Sequence, residues 1–69
     1  MSVVKVIELI GSSKVSFDDA VKNALKKATE TIRGIKDVWV QNFSAVVEDG
    51  KITKYRANVK LTFLVESSV

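Results

Sequence analysis

Trp39, set among the amides of Gln41 and Asn58 and the cations Lys54, Arg56 and Lys60, is what this chain offers for building a site, and the chemistry of that set is recognition. An indole gives a flat apolar surface for stacking, amides donate and accept hydrogen bonds, and ammonium and guanidinium groups donate. Bond-making chemistry lacks its usual carriers. The 69 residues include no histidine and no cysteine, which removes the commonest general base and metal ligand and any thiolate. No nucleophile–base pair stands out among the remaining side chains. Gly11-Ser12-Ser13 has neither the glycine spacing nor the lysine of a phosphate loop. Asp37, Glu48 and Asp49 are candidate oxygen ligands, but their spacing matches no recognised calcium loop, and no metal site is assigned. The chain is read as non-enzymatic.

Four elements must position these side chains. Val3 to Ile10 is rich in Val and Ile and reads as a strand, ended by Gly11, Ser12 and Ser13. A helix follows. Ser16 and Asp19 have the spacing of a capping box, the hydroxyl accepting from the third backbone N–H and the carboxylate reaching back. Asp18 and Asp19 suit the positive end of the helix dipole. Phe17, Ala20, Val21, Ala24, Leu25, Ala28 and Ile32 then recur at helical spacing, and Gly34 reads as the stop. Val38 to Glu48 is a long strand, Asp49-Gly50 a two-residue hairpin turn, and Ile52 to Glu66 the return strand. No linker, repeat or low-complexity stretch interrupts the order, so residues 1–69 are read as one α+β domain.

The turn sets an expected register. With Asp49 and Gly50 as the loop, Val38 faces Leu61 and Val40 faces Val59, an apolar face expected to lie under the helix. The other face then pairs Trp39 with Lys60, Gln41 with Asn58, Phe43 with Arg56 and Ala45 with Lys54. One helix cannot cover both faces. An uncovered face with a tryptophan and a phenylalanine is an apolar patch of the kind that marks a subunit contact or a ligand site, and the two roles are compatible.

Size points the same way. A domain of about 60 residues buries only about 60% of the surface its unfolded chain exposes, and chains this short usually rely on disulfides, a metal or partner subunits. Cysteine is absent while 46% of the residues are hydrophobic, so self-association is the expected support. No apolar run approaches the roughly 20 residues of a membrane span, and no signal peptide is apparent, so a cytoplasmic location is expected with no membrane partner. The net charge of +3 is spread from Lys5 to Lys60. A stacking platform for nucleic acid would need the Trp39 face open, and burial of that face between subunits makes nucleic acid an unexpected partner.

The opening VVKVIELIGSS, the helix SFDDAVKNALKKATETIRGI and the hairpin VVEDGKITKYRANVKLTF together resemble the dodecin family over nearly the whole chain. The resemblance implies a β-α-β-β fold in which a three-stranded antiparallel sheet wraps around one helix, and a homo-oligomer, a hollow dodecamer. It also implies a flavin cofactor (FMN, FAD or riboflavin) held at subunit contacts for storage or shielding, without catalysis. In flavin-binding dodecins a tryptophan at the start of the second strand stacks on the isoalloxazine ring, and a glutamine on the third strand meets its polar edge. Here the tryptophan position falls on Asp37, with Trp39 two residues later on the same strand face, about 7 Å further at about 3.3 Å per residue. The glutamine position is Arg56, which donates but cannot accept, and which suits a phosphate. The implied ligand contacts are therefore Asp37, Trp39, Gln41, Arg56 and Asn58. The alternative is a dodecin-type shell that binds a metal ion or another small anion in place of flavin.

Overall fold

The computed structural model describes residues 3–65, as β1 (Val3–Ser13), α1 (Phe17–Thr29), β2 (Ile35–Glu48) and β3 (Lys51–Val65). The strands form one antiparallel sheet in the order β1-β3-β2, so the last strand is central. The helix packs on one face of that sheet. Glu66, the expected end of the return strand, lies outside the described residues.

The core is a row of small residues pressed against larger ones. Ala20, Ala24 and Ala28 are buried on one stripe of α1, four residues apart, so they stack along the same line of the helix. They meet Ala57, Val59 and Leu61 of β3, all fully buried. Ile7, Leu9, Val38 and Val40 close the sides, half-buried. The expected pairs Val38–Leu61 and Val40–Val59 are present.

Close approach of helix to sheet has a specific requirement at Gly11. The strand does not end there, as expected from its sequence, but runs on to Ser13, with Gly11 opposite Ala57. A Cβ at Gly11 would lie 2.1 Å from the Ala20 carbonyl oxygen and 2.8 Å from the Ala24 Cβ. Glycine is there because the helix crosses at that point, and it breaks no pairing.

The start of α1 differs from a capping box in one half. Ser16 Oγ accepts from the Asp19 N–H at 3.0 Å, as expected. The Asp19 carboxylate, however, accepts from Ser13 Oγ at 2.7 Å. The same Ser13 oxygen accepts from the backbone N–H groups of Val15 at 2.9 Å and Ser16 at 3.4 Å. A buried hydroxyl at the end of β1 thus performs the reach-back that the sequence assigned to the aspartate, and it ties strand to helix. At the other end the helix stops at Thr29, five residues short of Gly34, with Thr31 and Ile32 N–H groups both donating to the Ala28 carbonyl. Gly34 does have a left-handed φ of 74°, but it turns the chain into β2 and does not cap the helix.

The β2–β3 register shifts at three places, between Ile35 and Asp37, Val40 and Asn42, and Val46 and Val47, and the last two alter the expected pairs. Asp49 (φ 52°) and Gly50 (φ 74°) form the expected two-residue turn. One register shift between Val46 and Val47 moves Ala45 opposite Tyr55 and Phe43 opposite Ala57, not Lys54 and Arg56. Phe43 therefore lies on the helix side, its ring 5.0 Å from that of Phe17, which also meets Tyr55 edge-on at 4.9 Å. A second shift between Val40 and Asn42 inserts Gln41 as an extra residue, places Asn42 opposite Asn58, and restores the expected pairing of Trp39 with Lys60.

Gly11→Ala tests the packing directly. The added methyl overlaps backbone, which cannot rotate away, so the helix must lift from β1. The expected loss is about 1–3 kcal/mol, the scale of an overpacked core, read as a lower midpoint in urea or thermal unfolding. An unchanged midpoint would mean that the helix does not sit this close.

Candidate functional site

The face of the sheet turned away from α1 carries the candidate site. It is lined along β3 by Lys54, Arg56, Asn58, Lys60, Thr62 and Leu64, the alternates of the buried residues. On β1 the cross-strand neighbours are Val4, Val6, Glu8, Ile10 and Ser12, and on β2 they include Asp37, Trp39 and Asn42. This face leaves much apolar surface open: Trp39 is 71% exposed and Ile10 68%, with Val4, Val6 and Leu64 exposed beside them.

Trp39 stands between two shallow pockets. One, of about 310 Å³, is lined by Trp39, Val40, Gln41 and Lys60. The other, of about 430 Å³, is lined by Asp37, Val38, Trp39 and Thr62. Each is at the lower end of the size range of small-molecule sites. On the second side the Thr62 hydroxyl donates to Asp37 Oδ2 at 2.8 Å, so the carboxylate is held in place beside the indole.

The first side is built by the bulge. An extra residue in one strand re-aims its side chain, and Gln41 reaches across the sheet. With its amide oriented to satisfy both neighbours, the nitrogen donates to Glu8 Oε2 at 2.7 Å and the oxygen accepts from Lys60 Nζ at 3.2 Å. Glu8, Lys60 and Trp39 are consecutive cross-strand neighbours on β1, β3 and β2. One polar chain therefore spans all three strands and ends at the tryptophan.

The five residues expected from the sequence do not all converge. Asp37, Trp39 and Gln41 gather around the two pockets. Asn58 lies one pleat further along β3, in a separate hollow with Glu8, Leu9 and Ile10, and its side-chain oxygen is buried without a hydrogen-bond partner. Arg56 sits opposite Ser12 and Ser44, four residues from Lys60 and thus about 13 Å from the tryptophan row. Glu8, Lys60 and Thr62 are not among the five, although Lys60 was already expected opposite Trp39. Thr62 follows from the hairpin register that already paired Trp39 with Lys60. Glu8 carries no such signal, because no tight turn joins β1 to β3.

The protein-family model described as Dodecin matches residues 3–66. Calcium dodecin from Mycobacterium tuberculosis is 38% identical over 64 residues, covering 91% of this chain and 89% of that protein. Among solved structures, dodecin from Streptomyces coelicolor superposes with a TM-score of 0.92 at 31% identity, covering 97% of this chain and 96% of that one. A structure of the M. tuberculosis protein, described as a calcium-chelating antigen with a novel calcium-binding site, gives 0.83 at 31% identity over 97% and 96% of the two chains. The β-α-β-β order, the antiparallel three-stranded sheet and the single covering helix agree with these structures. The family model spans every described element of the fold, and the chain belongs to the dodecin family.

Proposed function

We propose that this chain is a self-associating, non-catalytic small-ligand-binding protein, and that its ligand is a flat heteroaromatic of the flavin class held between subunits at Trp39. The observation that carries this is the indole itself, 71% exposed on a sheet face that the helix does not cover. Stacking needs such a platform, and the polar groups around it suit a ring with hydrogen-bonding edges. Lys60, held by the Gln41 amide oxygen, supplies donors on one side, and the Asp37–Thr62 pair flanks the other. Arg56, remote from the indole in its own subunit, suits a phosphate on the ligand's tail or on a neighbouring subunit's ligand. A bound flavin would be stored or shielded here, and nothing in the residue set calls for turnover.

Calcium is the second reading. It is favoured by the relative named calcium dodecin and by a carboxylate, Asp37, where flavin-binding dodecins carry their stacking ring. Among the described residues no group of three or more acidic, histidine or cysteine side chains gathers within one chain. On this reading Asp37 supplies a carboxylate oxygen, and carbonyl, hydroxyl and water oxygens or the carboxylates of other copies complete the shell.

Titration separates the two. Riboflavin fluorescence should be quenched on binding, because indole in contact with the excited ring transfers an electron to it, with saturation by tens of micromolar protein on the order of typical cofactor affinities. Unquenched flavin together with a saturable heat of calcium binding would transfer the assignment to the second reading.

Trp39→Ala is the matching substitution. Loss of stacking should weaken flavin binding by about 1–3 kcal/mol, roughly 5- to 150-fold. If the indole serves subunit packing instead, the variant will melt at a lower temperature and bind the ligand as the parent does.

A further inference from the structure

The polar chain across the three strands has a direction. A carboxylate only accepts, so Glu8 draws the Gln41 amide nitrogen towards itself at 2.7 Å and leaves the amide oxygen facing Lys60 at 3.2 Å. Without Glu8 the amide loses one of the two contacts that fix it, and only the Lys60 ammonium then holds its oxygen. Lys60 has three N–H donors and uses one on Gln41, so two remain beside the pocket walled by Trp39. The backbone agrees with this arrangement: the bulge that places Gln41 outside the ladder lies between the Val40–Val59 and Asn42–Asn58 pairs, one pair beyond Trp39–Lys60. The same extra residue restores the register after the shift between Val46 and Val47, so backbone correction and side-chain placement coincide at Gln41.

We propose that Glu8, Gln41 and Lys60 form a reading element that selects flat ligands bearing hydrogen-bond acceptors along an outer edge, with Lys60 in contact with the ligand and Glu8 a positioning residue acting through Gln41. The inference rests on the ligand-binding reading given above and adds the class of ring and the residues that choose it. The ammonium meets acceptor oxygens, while a ring edge of C–H groups leaves its two free donors unpaired at a contact that excludes water, which is costly.

Two uncharged tricyclic probes make the test. Lumichrome carries two carbonyl oxygens on one end ring, and the end rings of phenazine carry no acceptor. Both stack on an indole. Lys60→Met keeps the length of the side chain and removes the donors. It should weaken lumichrome binding about tenfold or more, the scale of a charged hydrogen bond, and leave phenazine binding as tight as in the parent or tighter, because the donors that phenazine leaves unpaired are gone. Glu8→Ala should reproduce part of the loss for lumichrome, and Glu8→Gln, which keeps an acceptor for the Gln41 amide, should restore it. Phenazine binding by each variant doubles as the check that the face is intact. If the parent protein binds neither ring, the ligand-binding reading falls and this inference with it. If it binds both, and Lys60→Met weakens both equally or neither, stacking at Trp39 stands and the reading element is overturned. If Glu8→Gln binds lumichrome no better than Glu8→Ala, Glu8 does not act by orienting the amide.

Discussion

A single helix lies against a three-stranded sheet, and the closeness of that contact governs the rest of the molecule. It is set by residues with little or no side chain: Gly11 on β1, Ala57 on β3, and Ala20, Ala24 and Ala28 on α1. Small residues bring the helix down onto the sheet but contribute little apolar surface of their own. Val59 and Leu61 are the largest fully buried side chains among the described residues. Complete burial of each is worth about 1.5–3 kcal/mol, which is small beside the entropy of ordering a chain of this length. The protomer is a slab with extents of 56 × 20 × 13 Å, essentially one layer of helix on one layer of sheet. The burial it lacks is available on the open face, where Val4, Val6, Ile10, Trp39 and Leu64 are exposed. The proposed self-association and the proposed ligand site draw on the same surface for that reason.

The second organising feature is a compensating pair among the three register shifts of the β2–β3 hairpin. A regular hairpin would have put Phe43 on the open face with Arg56. The shift between Val46 and Val47 sends it to the helix side, where it packs with Phe17 and Tyr55 at the end of the core. The shift at Gln41 then resets the alternation, so Val38 and Val40 still face the helix and Trp39 faces away. Two bulges on opposite strands cancel in register and leave a glutamine aimed across the sheet. Structure and site chemistry meet in that residue: its backbone corrects the register, and its side chain links Glu8 to Lys60.

Much of this was legible in the sequence, and the parts that were not have physical reasons. The hairpin turn at Asp49-Gly50, the Ser16 cap, the buried stripe of α1 and the pairing of Trp39 with Lys60 follow from local chemistry and from the period of two along a strand. Bulges leave no such mark, because an extra residue changes only which neighbours face each other further along. The end of β1 was misread because glycine and serine usually close a strand, whereas here Gly11 admits a helix and Ser13 fastens it. The helix stop was misread because a left-handed glycine was present, but five residues beyond the true end. Of the site, the tryptophan platform was visible and Glu8 was not, since the β1–β3 register depends on tertiary packing. Arg56 was placed with the site through the family resemblance, and the strand geometry sets it about 13 Å away in the same subunit.

The central claim is that the face opposite the helix is completed by other copies of the chain. Thermal unfolding over a hundredfold range of protein concentration, with the mass in solution measured by light scattering at each end, tests it most directly. Folding coupled to association makes the melting temperature depend on concentration. The account predicts a midpoint that rises as the protein is concentrated and a mass many times 7.6 kDa. A concentration-independent midpoint with a mass of 7.6 kDa would contradict it.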